Sequence, residues 1–285
     1  MSDNNRDGKR AARKRLLQER ELQKAREKRR RLLIVSAAVV CVLGLAAVVG
    51  VIAANTGDKT TDTSTATPTQ AGPVVAPSGA GGKDRPAIPA GASDAPSTLT
   101  IWEDFRCPVC AQAENILRDT IHELTDSGQL RADYHFATII DARFGGTGSL
   151  RAANAAACAQ DAGKFVPYHD VLYQNQPPES EDAFGDPKRL IELAGKVEGL
   201  DTPRFRSCVE QGKYNGWVEK SAEAFRNSDY GGTPTMLLNG EPVFPGKGNE
   251  PLSPENLKKW VAEANKGKQP ATAQPGPAAS RSATG

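Results

Sequence analysis

Leu99-Thr100-Ile101-Trp102-Glu103-Asp104-Phe105-Arg106-Cys107-Pro108-Val109-Cys110 is the stretch on which the reading of this 285-residue chain turns. Leu99 to Trp102 is apolar and β-branched, a strand signal. After the cysteines, Ile116, Leu117, Ile121 and Leu124 recur at helical spacing. Pro108 suits the first position of that helix. The Cys-x-x-Cys therefore falls at a strand-to-helix junction, with Cys107 at the helix N-terminus and Cys110 one turn in. There, unpaired N–H groups and the positive end of the helix dipole favour a thiolate at Cys107. A low pKa makes Cys107 both the attacking sulfur and a good leaving group, exposed to its partner. Cys110, further inside, stays protonated until it attacks a mixed disulfide. A zinc reading would need two further ligands in spaced pairs, and no second Cys-x-x-Cys or His-x(3–5)-His is present. The three histidines have duller explanations: His122 on a polar helix face, His135 in a strand and His169 in a helix. No metal and no cofactor are expected. A purely structural Cys107/Cys110 bridge closes too short a loop to remove much chain entropy.

Outward from this stretch, the composition divides the chain. Lys plus Arg total 36 and Asp plus Glu 34. Residues 1–31 hold 13 of the basic and 5 of the acidic residues, leaving 23 basic and 29 acidic residues for the remainder. An acidic globular part argues against nucleic acid as a partner, because phosphate contacts need clustered cations. Leu32 to Ala54 is an uncharged run of 23 residues. At about 1.5 Å per residue it reaches roughly 34 Å, enough for a hydrocarbon core of about 30 Å. The basic cluster Lys28 to Arg31 keeps residues 1–31 cytoplasmic and sends the C-terminal bulk outside, as a single-pass cell-membrane protein. A cleaved signal peptide is the alternative, but this core is longer than such signals carry and no clean Ala-x-Ala follows. The basic run also suits contact with anionic lipid headgroups. Residues 55–85 and 266–285, rich in Thr, Ala, Pro, Gly and Ser, read as a disordered linker and tail. One folded domain remains, residues 86–265.

Two further segments repeat an order found elsewhere. Lys164-Phe165-Val166-Pro167-Tyr168-His169-Asp170-Val171-Leu172-Tyr173 is followed by Asn175-Gln176-Pro177, and Gly231-Gly232-Thr233-Pro234-Thr235 precedes Met236-Leu237-Leu238-Asn239-Gly240. With Glu103-Asp104-Phe105-Arg106-Cys107-Pro108-Val109-Cys110, these resemble the DsbA-like thioredoxin-fold thiol–disulfide oxidoreductases over about residues 97–265. The resemblance implies an α/β thioredoxin fold with an inserted helical domain at about 146–228, which the apolar run 32–54 precedes with one transmembrane helix. It implies a cis-proline loop at Thr233 and Pro234 beside Cys107, where the Thr233 backbone could pair with an extended substrate. It also implies reduced extracytoplasmic polypeptides as partners and a membrane oxidase for regeneration. Anchor and Thr/Pro-rich tether together resemble actinobacterial cell-envelope proteins.

Local patterns fill in the layout. A helix is expected over 108–126, a strand over 130–140, helices through most of 146–228, a hairpin of Thr235–Asn239 with Pro242–Phe244, and a closing helix over 254–265 capped by Ser253. Cys158 and Cys208, both in helix-like stretches of the insertion, are expected to pair and staple it, with a second redox-active pair or two buried thiols as alternatives. Glu103 and Asp104 are candidates for an acid that helps deprotonate Cys110. Their bland reading is a solvated strand-end carboxylate. Val109 carries no donor where strongly oxidising relatives often have histidine, so a milder oxidant is expected. Disulfide donation is the first functional reading. A reductase or isomerase, and a non-catalytic peptide-binding adaptor, stand as alternatives.

Overall fold

The computed structural model describes residues 74–81 and 86–271. The expected cytoplasmic segment, the apolar span 32–54, residues 55–73 and 82–85 of the linker and most of the C-terminal tail lie outside the described residues. Among those described, no helix is long and apolar enough to cross a membrane.

Five strands form the main sheet: β1 (Ile88–Ala90), β2 (Thr98–Glu103), β3 (Arg131–Phe136), β4 (Thr235–Leu238) and β5 (Glu241–Pro242), in the order β1-β3-β2-β4-β5. β2 lies at the centre. It runs parallel to β3, with Thr98 opposite Arg131 and Glu103 opposite Phe136, and antiparallel to β4, with Trp102 opposite Thr235. Its last three residues are buried on both faces of the strand, as expected where a central strand is covered on both sides. Asn239 (φ 52°) and Gly240 (φ 88°) turn β4 into β5, the left-handed pair that a two-residue hairpin requires. A small ribbon, β6 (Gly246–Lys247) with β7 (Glu250–Pro251), follows.

Helix α1 (Pro108–Asp126) starts at the C-terminal end of β2, with Cys107 as its extended N-cap and Pro108 in its first turn. It buries Cys110, Ala113, Glu114, Leu117, Ile121 and Leu124. This is the i, i+3, i+4 stripe of an amphipathic helix, with one carboxylate inside it. Helix α8 (Pro254–Ala264) packs on α1, and the Ser253 side chain accepts from the Asn256 N–H at its start.

Between β3 and β4 the chain builds the helical insertion: α2 (Ile139–Phe144), α3 (Gly148–Asp161), α4 (Phe165–Gln174), a 3-10 turn (Ala183–Gly185), α5 (Pro187–Ala194), α6 (Pro203–Glu210) and α7 (Asn215–Arg226). Alanine-rich α3 is its axis. Ala152, Ala153, Ala155, Ala156, Ala157 and Ala159 are all buried, and their small side chains let α4, α6 and α7 pack on it. A disulfide joins Cys158 of α3 to Cys208 of α6 across a Cα separation of 6.0 Å.

Two local expectations are revised. The strand expected over 130–140 ends at Phe136, and Ile139 and Ile140 open α2 instead. Their β-branching suits a strand, but the Asp104 carboxylate accepts the Ile140 N–H at 3.0 Å, so a tertiary contact overrides local preference. The second hairpin strand is shorter than expected and earlier, at Glu241–Pro242. Val243 donates only one backbone bond to Met236, at 2.9 Å.

Candidate active site

Cys107 and Cys110 are free thiols at the N-terminus of α1. Cys107 is 6% exposed and Cys110 0%, so the outer thiol is less open than its sequence position implied. What covers it is the loop before β4. The Thr233–Pro234 peptide is cis, and the Cys107 Sγ donates to the Thr233 carbonyl oxygen at 3.5 Å. Thus Cys107, Pro108, Val109, Cys110, Thr233 and Pro234, separated by about 125 residues, meet in one place. Cys158 and Cys208 lie apart, in the helical insertion.

The two thiols have opposed acidities. Donation from the Cys110 thiol stabilises the Cys107 thiolate most. Burial opposes this, and the backbone N–H groups of Cys110 and Val109 add to the stabilisation, leaving Cys107 at about 6 against an ordinary 9.0. Burial pushes Cys110 well above 9.0, and the neighbouring Cys107 pushes it further.

The turn before Cys107 is fixed from three sides. Asp104 accepts the Arg106 N–H at 2.8 Å through one oxygen and the Ile140 N–H through the other. Burial outweighs these bonds and raises its pKa from 3.8 to about 7. Arg106, itself buried, donates to Asp141 Oδ1 at 2.7 Å and to the Gly145 carbonyl at 2.8 Å, with Asp182 Oδ1 at 3.0 Å. These contacts tie the site to α2 and to the segment before the 3-10 turn. Gln176, just past α4, donates to the carbonyls of Phe105 and Cys107 at 2.9 and 3.0 Å.

Glu103 and Asp104 are both buried rather than solvated. The Glu103 Oε1 accepts from His169 Nε2 at 2.8 Å. The donor atoms of Glu103, Glu114 and His169 lie within 4.8 Å of one another. The ring nitrogen that an ion would need is already committed to the Glu103 carboxylate, so this set does not fit a metal centre. His135, on β3, instead stacks on Trp102 with ring centroids 4.2 Å apart. Sequence reading missed Glu114 and treated His169 as unremarkable. The available signal was a carboxylate on the apolar stripe of α1, four residues after Cys110.

The family model described as thioredoxin matches residues 83–263, well over half of the chain. The chain belongs to the thioredoxin family. Within it, the solved structural neighbours include DsbA-like oxidoreductases. A solved structure of the disulfide bond oxidoreductase DsbG from Mycobacterium tuberculosis, in its reduced form, superposes with a TM-score of 0.54 at 29% identity, covering 62% of this chain and 86% of that one. Disulfide bond formation protein D of Bacillus subtilis is 24% identical over 54% of this chain and 68% of its own length. A Na(+)/H(+) antiporter, NhaA 3 of Salinispora tropica, is 31% identical over 53% of this chain, but the match spans only about a fifth (21%) of that protein. The transport its name records belongs to that protein.

Proposed function

We propose that this thioredoxin-family chain is an extracytoplasmic thiol–disulfide oxidoreductase that donates its Cys107–Cys110 disulfide to reduced polypeptides. The observation that carries this is two free thiols one helical turn apart, Cys107 at the N-terminus of α1 against the cis Thr233–Pro234 loop and Cys110 fully buried behind it, an arrangement that lowers the outer thiol to about 6 and pushes the inner one well above 9.0. A stable Cys107 thiolate favours the reduced enzyme, so the corresponding disulfide is oxidising. A substrate thiolate attacks Cys107 Sγ, the Cys107–Cys110 bond breaks, and Cys110 leaves with the electron pair and gains a proton. A second substrate thiolate then attacks the substrate sulfur of the mixed disulfide. The substrate is oxidised to a disulfide and Cys107 departs as thiolate. Reduced enzyme returns to the disulfide by passing two electrons to a membrane oxidase. In the reverse sense Cys110 resolves the mixed disulfide at Cys107.

Val109 and Ile116 are 47% and 51% exposed beside the site. With Phe244 and Leu252 they line a shallow cavity of about 120 Å³. That apolar rim supports unfolded polypeptide as the substrate class. The basic segment followed by the apolar run 32–54 supports anchorage in the cell membrane with this domain outside. In a Cys110→Ala variant, mixed disulfides to envelope proteins should accumulate at Cys107, and the wild-type pair should be mostly oxidised in cells. No trapped adducts, or unaltered cellular function in Cys107→Ser, would favour an adaptor. A mostly reduced pair would favour a reductase or isomerase.

A further inference from the structure

The Asn175-Gln176-Pro177 run has no part in the exchange steps above, yet it is where the helical insertion meets the dithiol. Helix α4 carries it there. Phe165, Tyr168, His169, Leu172 and Tyr173 bury one face of that helix. At its end the Asn175 side chain donates to the Val171 carbonyl at 2.7 Å and accepts from Lys196 Nζ at 2.7 Å. Pro177 then restricts Gln176, the residue before it, to extended backbone. The chain is pinned again further on. The Glu179 carbonyl accepts from Arg106 Nη2 at 3.2 Å, and Asp182 Oδ1 lies 3.0 Å from Arg106 Nη1. Gln176 is held on both sides, and its side chain reaches the active-site turn from a fixed base.

The bonds it makes there are selective. Gln176 Nε2 donates to the Phe105 carbonyl at 2.9 Å and to the Cys107 carbonyl at 3.0 Å. An amide NH2 has two hydrogens, and both go to carbonyls that bracket Arg106. The amide oxygen cannot serve either one, so the acceptors fix which way the amide faces. The rest of the turn is closed from within. The Cys107 N–H donates to the Asp104 carbonyl at 2.9 Å, and the Arg106 N–H to the Asp104 carboxylate at 2.8 Å. The Cys107 carbonyl also accepts the Ala111 N–H at 3.1 Å, the first bond of α1. One amide thus grips the peptide unit before Arg106 and the one after Cys107.

The torsions between those two units decide what the outer sulfur meets. Cys107 sits at φ −76° and ψ 117°. In that conformation its Sγ lies against the Val109 and Cys110 N–H groups and the Thr233 carbonyl. Rotation of the peptide unit after Cys107 would carry the sulfur off the helix N-terminus, where the dipole and free N–H groups favour a thiolate. Gln176 bonds to neither sulfur, so its influence passes through the backbone.

We propose that Gln176 is a positioning residue for disulfide exchange: by holding the Phe105 and Cys107 carbonyls it keeps the Cys107 sulfur on the N-terminus of α1, and through it the helical insertion sets how oxidising the dithiol is. This rests on the exchange function proposed above. Exchange proceeds by the steps given there, and Gln176 supplies neither proton nor electron. It favours the reduced enzyme, in which Cys107 carries a charge, over the disulfide, in which it carries none.

The test uses two variants of the full chain. Gln176→Met keeps the length of the side chain and removes both N–H donors. Gln176→Glu keeps its shape and puts acceptor oxygens where the donors were. Each is equilibrated with glutathione, its Cys107 thiolate is titrated by ultraviolet absorbance, and its fold is followed by circular dichroism. Both should raise the Cys107 midpoint and lower the equilibrium constant for oxidising glutathione. The expected fall is about threefold for Met, the lower end of what one neutral hydrogen bond contributes, and larger for Glu. A threefold change is about 14 mV in potential. A side chain that only braced the fold would lower the melting temperature and leave midpoint and constant alone. The proposal is overturned if the variants fold and either quantity stays at its wild-type value. Should Gln176→Met not fold, the near-isosteric Gln176→Glu decides alone. Glutathione and the titration need no polypeptide, whereas trapping through Cys110→Ala does. Loss of trapping would therefore count against the exchange function, and unmoved Gln176 variants with trapping intact against the positioning role.

Discussion

Replacing both cysteines of the helical insertion, C158A/C208A, tests whether that bridge is a staple or a second redox pair. It closes a loop of 50 residues. Loop-closure entropy for that length is worth about 4 kcal/mol in the unfolded chain. Both sulfurs are buried, at 2% and 8% exposure, so alanine also leaves small voids between α3 and α6. For a domain of this size each kcal/mol moves the melting temperature by roughly 2–4 °C, so a fall of about 8–16 °C is expected. The assay is thermal unfolding followed by circular dichroism, with the Cys107/Cys110 pair in the same redox state in both proteins. Exchange rates with a reduced peptide, measured well below the melting range, should stay within twofold of wild type. A drop under about 2 °C would refute the staple. Loss of exchange in a folded variant would make the pair part of the electron path.

Three other perturbations follow from the site. Asp104 sits at about 7 in the folded protein against 3.8 free. Between those values the folded state holds a proton that the unfolded chain releases. Its contribution is therefore fully present below about pH 4 and is lost as pH rises through 7, and urea midpoints should show that slope reduced in D104N. R106M leaves Asp141 and Asp182 without the buried guanidinium they face, and should cost about 3 kcal/mol in denaturant unfolding. V109H places a donor beside the Cys107 thiolate. Equilibration with glutathione should show a more oxidising protein, by about 30 mV for each 1.4 kcal/mol gained.

The active-site junction was legible because local signals agreed there. Leu99 to Trp102 reads as strand, Pro108 as a first helical turn, and Ile116 to Leu124 as a buried helix face, and β2 and α1 form at those places. Asp104 and Glu103 were legible as chemistry but not as environment. Burial depends on the α2 backbone reaching Asp104 and on α4 bringing His169 to Glu103, contacts made 36 and 66 residues away. Ile139 and Ile140 misled for the same reason. Glu114 was missed because a single acidic residue on an apolar stripe resembles ordinary pattern noise until its partner from another helix is known. Arg106 carried no sequence signal of its own, and only Asp141, Gly145 and Asp182 reveal it as a clamp.

The most direct measurement is the titration of Cys107 in the reduced protein, by ultraviolet thiolate absorbance checked against the alkylation rate, with Cys110→Ala separating the two sulfurs. The account predicts a midpoint near 6 in the wild-type protein, moving upward in Cys110→Ala as the donated hydrogen bond is lost. A wild-type midpoint at or above the ordinary 9.0 would contradict it.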